Sequence, residues 1–241
     1  MQVDTKTVDL EVDGTTMRML VTRPREEGRY PGVLVYSDIF QLTGPQVRLS
    51  TRLASHGFLV ATPEIWHRVE APGSAIAFDD AGRTRGLANA KKTTVAEMDR
   101  DCRAALDWLA AHATSLGTMG FCIGGHLALR AALQPDVRAT AAFYPTGVHD
   151  GALGSDADAG TLARLATITG ELLVAFGTRD PHVPPEARAT IGAALAGTHH
   201  EVALFDAEHA FMRDEGPRWD PAASDEAFRR AVALLSKLRD R

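Results

Sequence analysis

The segment Gly120-Phe121-Cys122-Ile123-Gly124-Gly125 carries the strongest indication of chemistry in this chain. It lies between an apolar run typical of a buried strand and an amphipathic helix, and it has the G-x-nucleophile-x-G form of a nucleophile elbow. Glycines suit this turn because side chains at 120 and 124 would collide with neighbouring backbone. The N–H groups at the start of the following helix favour a thiolate and a developing oxyanion. The pattern therefore predicts a cysteine nucleophile, Cys122.

A cysteine at the end of a strand is more often a small buried apolar residue, and the flanking glycines are what favour the nucleophile here. Cys102 lies on the apolar face of a predicted helix with no glycine beside it, and we interpret it as a core residue. The two cysteines indicate neither a disulfide framework nor a metal-ligand pair, which is typical of a reduced cytoplasmic protein.

A thiol nucleophile needs a base, and the base needs an acid that fixes its tautomer. In a nucleophile-elbow fold these groups follow in the order nucleophile, acid, histidine, on loops after later strands. Asp180 follows the predicted strand Leu172–Phe176, and His209 follows the predicted strand Val202–Phe205. We therefore predict a triad of Cys122, Asp180 and His209.

Alternatives to the base and the acid remain open at this point. The chain has nine histidines, so a position near a strand end is weak evidence by itself. Three alternative bases have positions that favour exposed loops: His182, His199 and His200. A fourth alternative, His149, precedes the acid loop in the chain, which is the wrong order. Asp180 is also a residue type common in turns and helix caps, and Asp206 is the alternative acid.

The elements that must position these residues alternate between strands and helices. This alternation predicts a mostly parallel central sheet with helices on both faces, and the nucleophile elbow added to it indicates an α/β-hydrolase fold. Alternating patterns in Thr7–Val12 and Met17–Thr22, around an Asp13-Gly14 turn, predict an N-terminal antiparallel hairpin. Residues 63–90 are interrupted by Pro, Gly, Asp and Arg, which indicates a long surface excursion. Ligands of such sheets bind beyond the carboxyl ends of the strands, where the three triad residues are predicted.

The remaining predicted strands are Val33–Tyr36, Phe58–Ala61, Leu116–Phe121 and Ala139–Tyr144. The predicted helices are 45–56, 91–112, 123–133, 184–196 and a final helix that begins at Asp220-Pro221.

Length and composition limit the class of protein. The 241 residues suit one α/β domain over 1–241, and a net charge of −5 argues against nucleic-acid binding. No apolar run approaches the roughly 18 residues of a membrane span, and residues 1–14 lack the layout of a signal peptide. No metal-ligand spacing, phosphate-cradling motif or dinucleotide motif is present, so we expect no metal and no cofactor. These features and the cysteine content favour a cytoplasmic protein, and we expect a monomer because no exposed apolar stripe is evident.

From about Pro31 to the final helix, the chain resembles the dienelactone hydrolase family of α/β hydrolases. The resemblance rests on G-F-C-I-G-G at 120–125, D-P-H-V-P at 180–184, E-H-A-F-M-R at 208–213 and Y-S-D-I-F at 36–40. The cysteine at the elbow distinguishes this family from most α/β hydrolases, which carry serine there. The resemblance implies the same triad, and an oxyanion hole built from the backbone N–H groups of Ile39 and Ile123.

The resemblance also implies residues that bind substrate. It implies that Arg213 binds a substrate carboxylate, and that a second arginine comes from the excursion, where Arg85 is preferred to Arg83 on a loose match. It implies that Tyr144 lines the pocket. By the same resemblance, a glutamate keeps the thiol unreactive until substrate binds, and Asp38 replaces that glutamate in this chain. This side chain is one methylene shorter, and a turn or cap role is its alternative.

The chemistry of a thiolate nucleophile restricts the substrate. Because an unperturbed thiol has a pKa of about 8.5, an alkoxide is a worse leaving group than the thiolate, whereas an enolate or phenolate leaves more readily. We therefore expect a small-molecule substrate that is an activated ester or an enol lactone, bearing a carboxylate. The alternatives are a broad carboxylesterase or thioesterase, a thiol redox or electrophile sensor, and a catalytically inactive binding protein.

Overall fold

Eight strands form one sheet in the order β1-β2-β4-β3-β5-β6-β7-β8 in the computed structural model, which describes residues 1–240. The strands are β1 Val3–Val12, β2 Thr15–Pro24, β3 Gly32–Tyr36, β4 Leu59–Pro63, β5 Leu116–Phe121, β6 Val137–Phe143, β7 Glu171–Gly177 and β8 Glu201–Phe205. The α-helices are α1 Gly44–Ser55, α2 Asp80–Ala90, α3 Val95–His112, α4 Ile123–Ala131, α5 Thr161–Arg164, α6 Pro185–Ala194 and α7 Pro221–Ser236. Short 3-10 helices cover Leu165–Thr167 and Lys237–Asp240.

The predicted N-terminal hairpin is present as β1 and β2, which pair antiparallel from Val3↔Pro24 to Val12↔Thr15. Its turn has positive φ at both Asp13 (51°) and Gly14 (74°), as a two-residue hairpin turn requires. Strand β2 is antiparallel to β4, and the remaining strand pairs are parallel. The prediction of a mostly parallel α/β sheet with an antiparallel hairpin is confirmed.

Helices cover both faces of the sheet, and strands β3, β4 and β5 are consequently buried along their whole length. On one face, α1 and α7 bury Leu53 and Phe228 against the sheet. On the other face lie α3, α4 and α6. Cys102 of α3 is buried there, and burial raises the pKa of its thiol to about 12. It is therefore a core residue, as predicted.

The segment 63–90 differs from its prediction as an irregular excursion, because its last third is helix α2. The side chain of Asp79 caps this helix by accepting a hydrogen bond from the N–H of Gly82 at 2.7 Å. Helix α3 also begins later than predicted, at Val95, where Thr94 and Glu97 form a capping box. Within residues 1–240, no helix has the length and apolar character needed to span a membrane.

Candidate active site

The loop between β5 and α4 forms the strained turn that its glycines predict. Cys122 has φ 58° and ψ −124°, a conformation unfavourable for any residue with a side chain. A Cβ at Gly120 would lie 1.9 Å from the carbonyl oxygen of Gly124, and a Cβ at Gly124 would lie 2.2 Å from that of Ser37. The glycines therefore allow α4 to start close to the ends of β3 and β5, with Cys122 at the apex of the turn.

The two residues predicted to supply the oxyanion hole lie on the same cavity. Ile39 and Ile123, the residues predicted to form an oxyanion hole, line one cavity together with Cys122. Within residues 1–240, neither N–H donates to another protein group. The Ile39 loop is held by two contacts: Trp66 Nε1 donates to the carbonyl oxygen of Ile39 at 3.0 Å, and the N–H of Phe40 donates to Asp38 Oδ1 at 3.0 Å. Both N–H groups are thus available to a ligand oxygen.

The loops after β7 and β8 bring Asp180 and His209 together. His209 Nδ1 lies 2.7 Å from Asp180 Oδ2, and both side chains are buried. Asp180 Oδ1 accepts the N–H groups of His182 at 2.7 Å and Val183 at 3.2 Å. Burial acts to raise the pKa of Asp180, but these hydrogen bonds and the charge of His209 hold it below its usual value. Asp180 is therefore a fixed carboxylate that orients the imidazole.

Asp206, the alternative acid, is placed differently. Its side chain is 80% exposed and pairs with Arg179 at 3.0 Å. Because its carboxylate lies in solvent on a surface ion pair and does not contact His209, the structure favours Asp180 as the partner of the histidine.

Cys122 changes the protonation of His209. Burial lowers the pKa of the imidazole, but the charge of Cys122, hydrogen bonds to Asp180 and Cys122, and the charge of Asp180 together raise it to about 9. The sulfur of Cys122 and the carboxylate of Asp180 therefore both favour the protonated form of the ring. A thiolate beside an imidazolium is the pair that a cysteine nucleophile uses.

Backbone strain is concentrated around this pair. Of the five non-glycine residues with positive φ among residues 1–240, one lies in the hairpin turn and the others lie in loops around the elbow: Gln41, Cys122, Tyr144 and Ala210. Strained conformations persist where the surrounding structure enforces them, and they cluster at functional sites.

A cavity of about 710 Å³ opens above Cys122 and His209. Its lining comprises Asp38, Ile39, Phe40, Phe78, Asp79, Asp80, Arg83, Leu87, Ala90, Cys122, Ile123, Thr146, His182, His209, Arg213, Pro217 and Arg218. Helix α2 forms one wall, because the absence of a side chain at Gly86 brings its backbone close to Ile39. A Cβ at Gly86 would lie 2.6 Å from the carbonyl oxygen of Ile39.

The arginine preferred in the sequence is not the one on the cavity. Arg85 points to the exposed side of α2, where its Nε donates to Glu70 at 2.7 Å, and it is absent from the cavity lining. Arg83 lines the cavity and makes no ion pair within residues 1–240. The choice of Arg85 over Arg83 is therefore corrected: helical rotation places 83 and 87 inward and 85 outward.

Arg213 and Asp38 also line the cavity, paired with one another. No hydrogen bond among residues 1–240 joins Asp38 to Cys122, so its carboxylate is held by Arg213 and by the N–H of Phe40. Its position is that of a turn residue, which is the alternative raised from the sequence, and the structure adds an ion pair with Arg213.

Tyr144 lies behind the main cavity rather than on it. It is buried, its ring packs edge-on against His209 with centroids 4.9 Å apart, and it borders a smaller adjoining pocket. His182 is the rival histidine that the structure does bring to the site: it lines the cavity with its ring centroid 4.7 Å from that of His209. The rings of His199 and His200 contact each other at a tilted angle outside the cavity, and His149 is also outside it.

Arg83 was ranked below Arg85 in the sequence, and Thr146 is a cavity-lining residue that the sequence analysis missed. The signal for Arg83 was available in the spacing of Gly82 and Gly86, which marks the face of α2 that packs against the site. Thr146 lies in the loop after β6, and no motif marks it.

The parallel sheet, the elbow turn and the histidine–carboxylate pair on later strands define an α/β hydrolase. The chain belongs to the dienelactone hydrolase family, whose model matches residues 17–238. It is 35% identical over 216 residues to a Saccharomyces cerevisiae protein named "Putative carboxymethylenebutenolidase", covering 84% of this chain and 79% of that protein. It is 27% identical over 220 residues to the carboxymethylenebutenolidase of Pseudomonas sp. strain P51, covering 88% and 87%.

A solved structure from Klebsiella pneumoniae, described as a "Putative Dienelactone Hydrolase", superposes with a TM-score of 0.85 over 98% of this chain and 99% of the other. At 24% identity this likeness shows a shared fold. With the family established, the protein is a hydrolase of esters or lactones.

Proposed function

We propose that this enzyme hydrolyses an activated ester or an enol lactone that bears a carboxylate, through a thioester on Cys122. The observation that carries the proposal is the position of His209, which hydrogen-bonds Asp180 at Nδ1 and whose pKa is raised by Cys122 at the floor of the cavity. Such a pair supplies a nucleophile and a general acid without a further group.

In the acylation step the Cys122 thiolate attacks the carbonyl carbon and forms the C–S bond. The carbonyl oxygen gains charge, which the N–H groups of Ile39 and Ile123 stabilise. The C–O bond to the enol or phenol oxygen then breaks while the His209 imidazolium gives that oxygen its proton. The products of this step are a thioester on Cys122 and a neutral imidazole.

In the deacylation step His209 removes a proton from water as the water oxygen attacks the thioester carbon. The C–S bond breaks, the thiolate leaves and the imidazolium is restored. The net reaction adds one water across the ester bond. Asp180 accepts the hydrogen bond of Nδ1–H throughout, which keeps the tautomer in which Nε2 handles the proton.

The preference for an anionic substrate rests on the charges in the cavity. Arg83 has no carboxylate partner within residues 1–240, and Arg213 lines the same cavity but is paired with Asp38. Guanidinium groups recognise carboxylates bidentately, so these two side chains are suited to a carboxylate on the substrate.

A second candidate, a broad carboxylesterase on the same triad, is favoured by the apolar part of the cavity wall. Phe78 and Leu87 are large apolar side chains that are 40% and 44% exposed at this site. They would accept a neutral acyl or alcohol group by burying its apolar surface.

The test is hydrolysis of a dienelactone, p-nitrophenyl acetate and a simple alkyl ester by wild type and Cys122→Ala. We expect the lactone to give the highest kcat/KM, the alkyl ester the lowest, and the variant to lose turnover of both activated substrates. Comparable kcat/KM on the alkyl ester and its aryl counterpart would overturn the preference for activated esters. Cys122-dependent turnover of the neutral esters alone would favour the broad esterase, and turnover independent of Cys122 would contradict the thioester route.

A further inference from the structure

The loop after β6 places a hydroxyl against the nucleophile. Thr146 Oγ1 lies 3.9 Å from Cys122 Sγ, within hydrogen-bonding range for sulfur, and Thr146 lines the cavity. Its N–H also donates to the carbonyl oxygen of Cys122 at 3.3 Å. Within residues 1–240 the hydroxyl has no other hydrogen-bond partner, so its proton is available to the sulfur.

The backbone of Thr146 is hydrogen-bonded by His126, which lies one helical turn after Cys122 on α4. His126 Nδ1 lies 3.0 Å from the carbonyl oxygen of Thr146. A carbonyl oxygen only accepts, so Nδ1 must carry the hydrogen. Burial lowers the pKa of His126 to about 4, which leaves the ring neutral and makes Nε2 an acceptor.

The acceptor at Nε2 has a matching donor. Thr161 Oγ1 lies 2.8 Å from Nε2, and the hydroxyl therefore donates to the ring. Thr161 in turn accepts from Arg130 Nη1 at 3.0 Å, and Arg130 pairs with Asp99 of α3. His126, Thr161 and Arg130 are all buried. A buried polar network of this kind holds one geometry because every member has its partner.

We propose that Thr146 is a further catalytic residue, whose hydroxyl donates a hydrogen bond to the Cys122 thiolate, and that His126 is the positioning residue that holds it there. The inference rests on the proposed role of Cys122 as nucleophile. Negative charge leaves Sγ when the thioester forms and returns when water expels the thiolate. The hydroxyl therefore stabilises the resting thiolate and the leaving thiolate of deacylation.

Thr146→Val keeps the shape of the side chain and removes the donor, whereas Thr146→Ser keeps the donor. Thr190→Val, at an exposed position of α6, is the matched control. The rate of alkylation of Cys122 by iodoacetamide is measured against pH, with the modified residue located by peptide mass. We expect the alkylation midpoint to rise by about one pH unit in Thr146→Val, and kcat on the lactone to fall about tenfold, as for a lost hydrogen bond to a charged group.

Thr146→Ser should restore both values, and Thr190→Val should match wild type. A wild-type alkylation profile and kcat in a folded Thr146→Val would overturn the inference. Lactone turnover by Cys122→Ala separates the two proposals. Retained turnover would contradict the role of Cys122 as nucleophile. Lost turnover, together with wild-type behaviour of Thr146→Val, would contradict only the role of Thr146.

The positioning role of His126 is tested through its donor. Thr161→Val removes the hydrogen bond to His126 Nε2, so the ring is no longer held in the tautomer that donates from Nδ1 to Thr146. We expect the alkylation midpoint to rise in the same direction as in Thr146→Val, by a smaller amount. A lower melting temperature with an unchanged alkylation profile would show a merely structural role and contradict the assignment.

Discussion

Asp38 accepts hydrogen bonds from both Nε and Nη2 of Arg213, and the Nε contact measures 3.1 Å. The side chains are 15% and 13% exposed, and the guanidinium also lies over the rings of Phe40 and Phe78 at 5.0 and 4.1 Å. A cation that is held this fully inside the protein is not free for substrate. A carboxylate entering the cavity must compete with Asp38 for Arg213.

Asp38→Asn is therefore expected to lower KM for a carboxylate-bearing lactone by about tenfold, because Arg213 then binds substrate without breaking an ion pair with Asp38. The amide oxygen can still accept the N–H of Phe40, so the Ile39 loop should keep its position. Asp80→Asn is the matched control, because it removes a carboxylate from the cavity lining without touching Arg213. Equal effects of the two variants on KM would show that only the net charge of the cavity matters.

The two arginines of α2 provide a second comparison. Arg83→Ala should raise KM for an anionic lactone about tenfold and leave KM for a neutral ester unchanged, because an unpaired cation is lost from the cavity. Arg85→Ala removes a cation of the same helix that pairs with Glu70 outside the cavity, and should change neither KM. Steady-state kinetics on the two substrates measure this, and the reverse result would restore Arg85 as the binding residue.

The raised pKa of His209 makes stability depend on pH. Its folded value of about 9 exceeds its ordinary value of 6.5, so the stabilisation is complete below about pH 6.5 and is lost as pH rises through 9. Cys122→Ser removes the sulfur that acts to raise the pKa of His209. In that variant we expect the imidazole to titrate at lower pH, and the free energy of unfolding to fall less between pH 6.5 and 9.

NMR titration of the His209 ring and denaturant unfolding at several pH values measure both effects. Cys102→Ala, which removes the buried thiol of the core, is the control and should leave the His209 titration unchanged. An identical His209 midpoint in wild type and Cys122→Ser would show that the sulfur does not hold the proton on the imidazole.

Because α2 lies close to the Ile39 loop, we expect glycine-to-alanine substitution to have opposite effects at Gly86 of α2 and Gly192 of α6. Gly86→Ala would place a Cβ 2.6 Å from the Ile39 carbonyl oxygen, so we expect lower thermal stability and a lower kcat as the loop shifts. Gly192→Ala on α6 meets nothing within 4 Å and should stabilise the protein by about 0.5–1 kcal/mol through helix propensity. An active, equally stable Gly86→Ala would show that α2 does not fix the loop.

The order of most strands and helices, and the places of Cys122, Asp180 and His209 after their strands, could be predicted because their signals are local. Glycines around Cys122 report a turn that no other residue tolerates, and Asp180 and His209 each follow directly on a β-rich apolar run. Helix α2 could not be predicted in this way. Its glycines at 82 and 86 lower helix propensity, and they are present because the helix must touch Ala77 and Ile39.

Contacts across the fold were equally beyond sequence reasoning. Asp38 and Arg213 are 175 residues apart, and Thr146 meets Cys122 across two parallel strands. No spacing rule links such pairs, because their meeting depends on strand order and loop geometry together. The family resemblance marked Asp38 and Arg213 as separate residues and gave no indication that they are bound to each other.

The most direct test of the account is to trap the acyl-enzyme. Wild type is mixed with an activated ester, quenched in acid during turnover, and mapped by peptide mass. The account predicts an acyl adduct on the peptide that contains Cys122, formed and lost at rates that match turnover, and absent from Cys122→Ala. Steady turnover with no adduct, or with an adduct on another residue, would contradict the thioester mechanism.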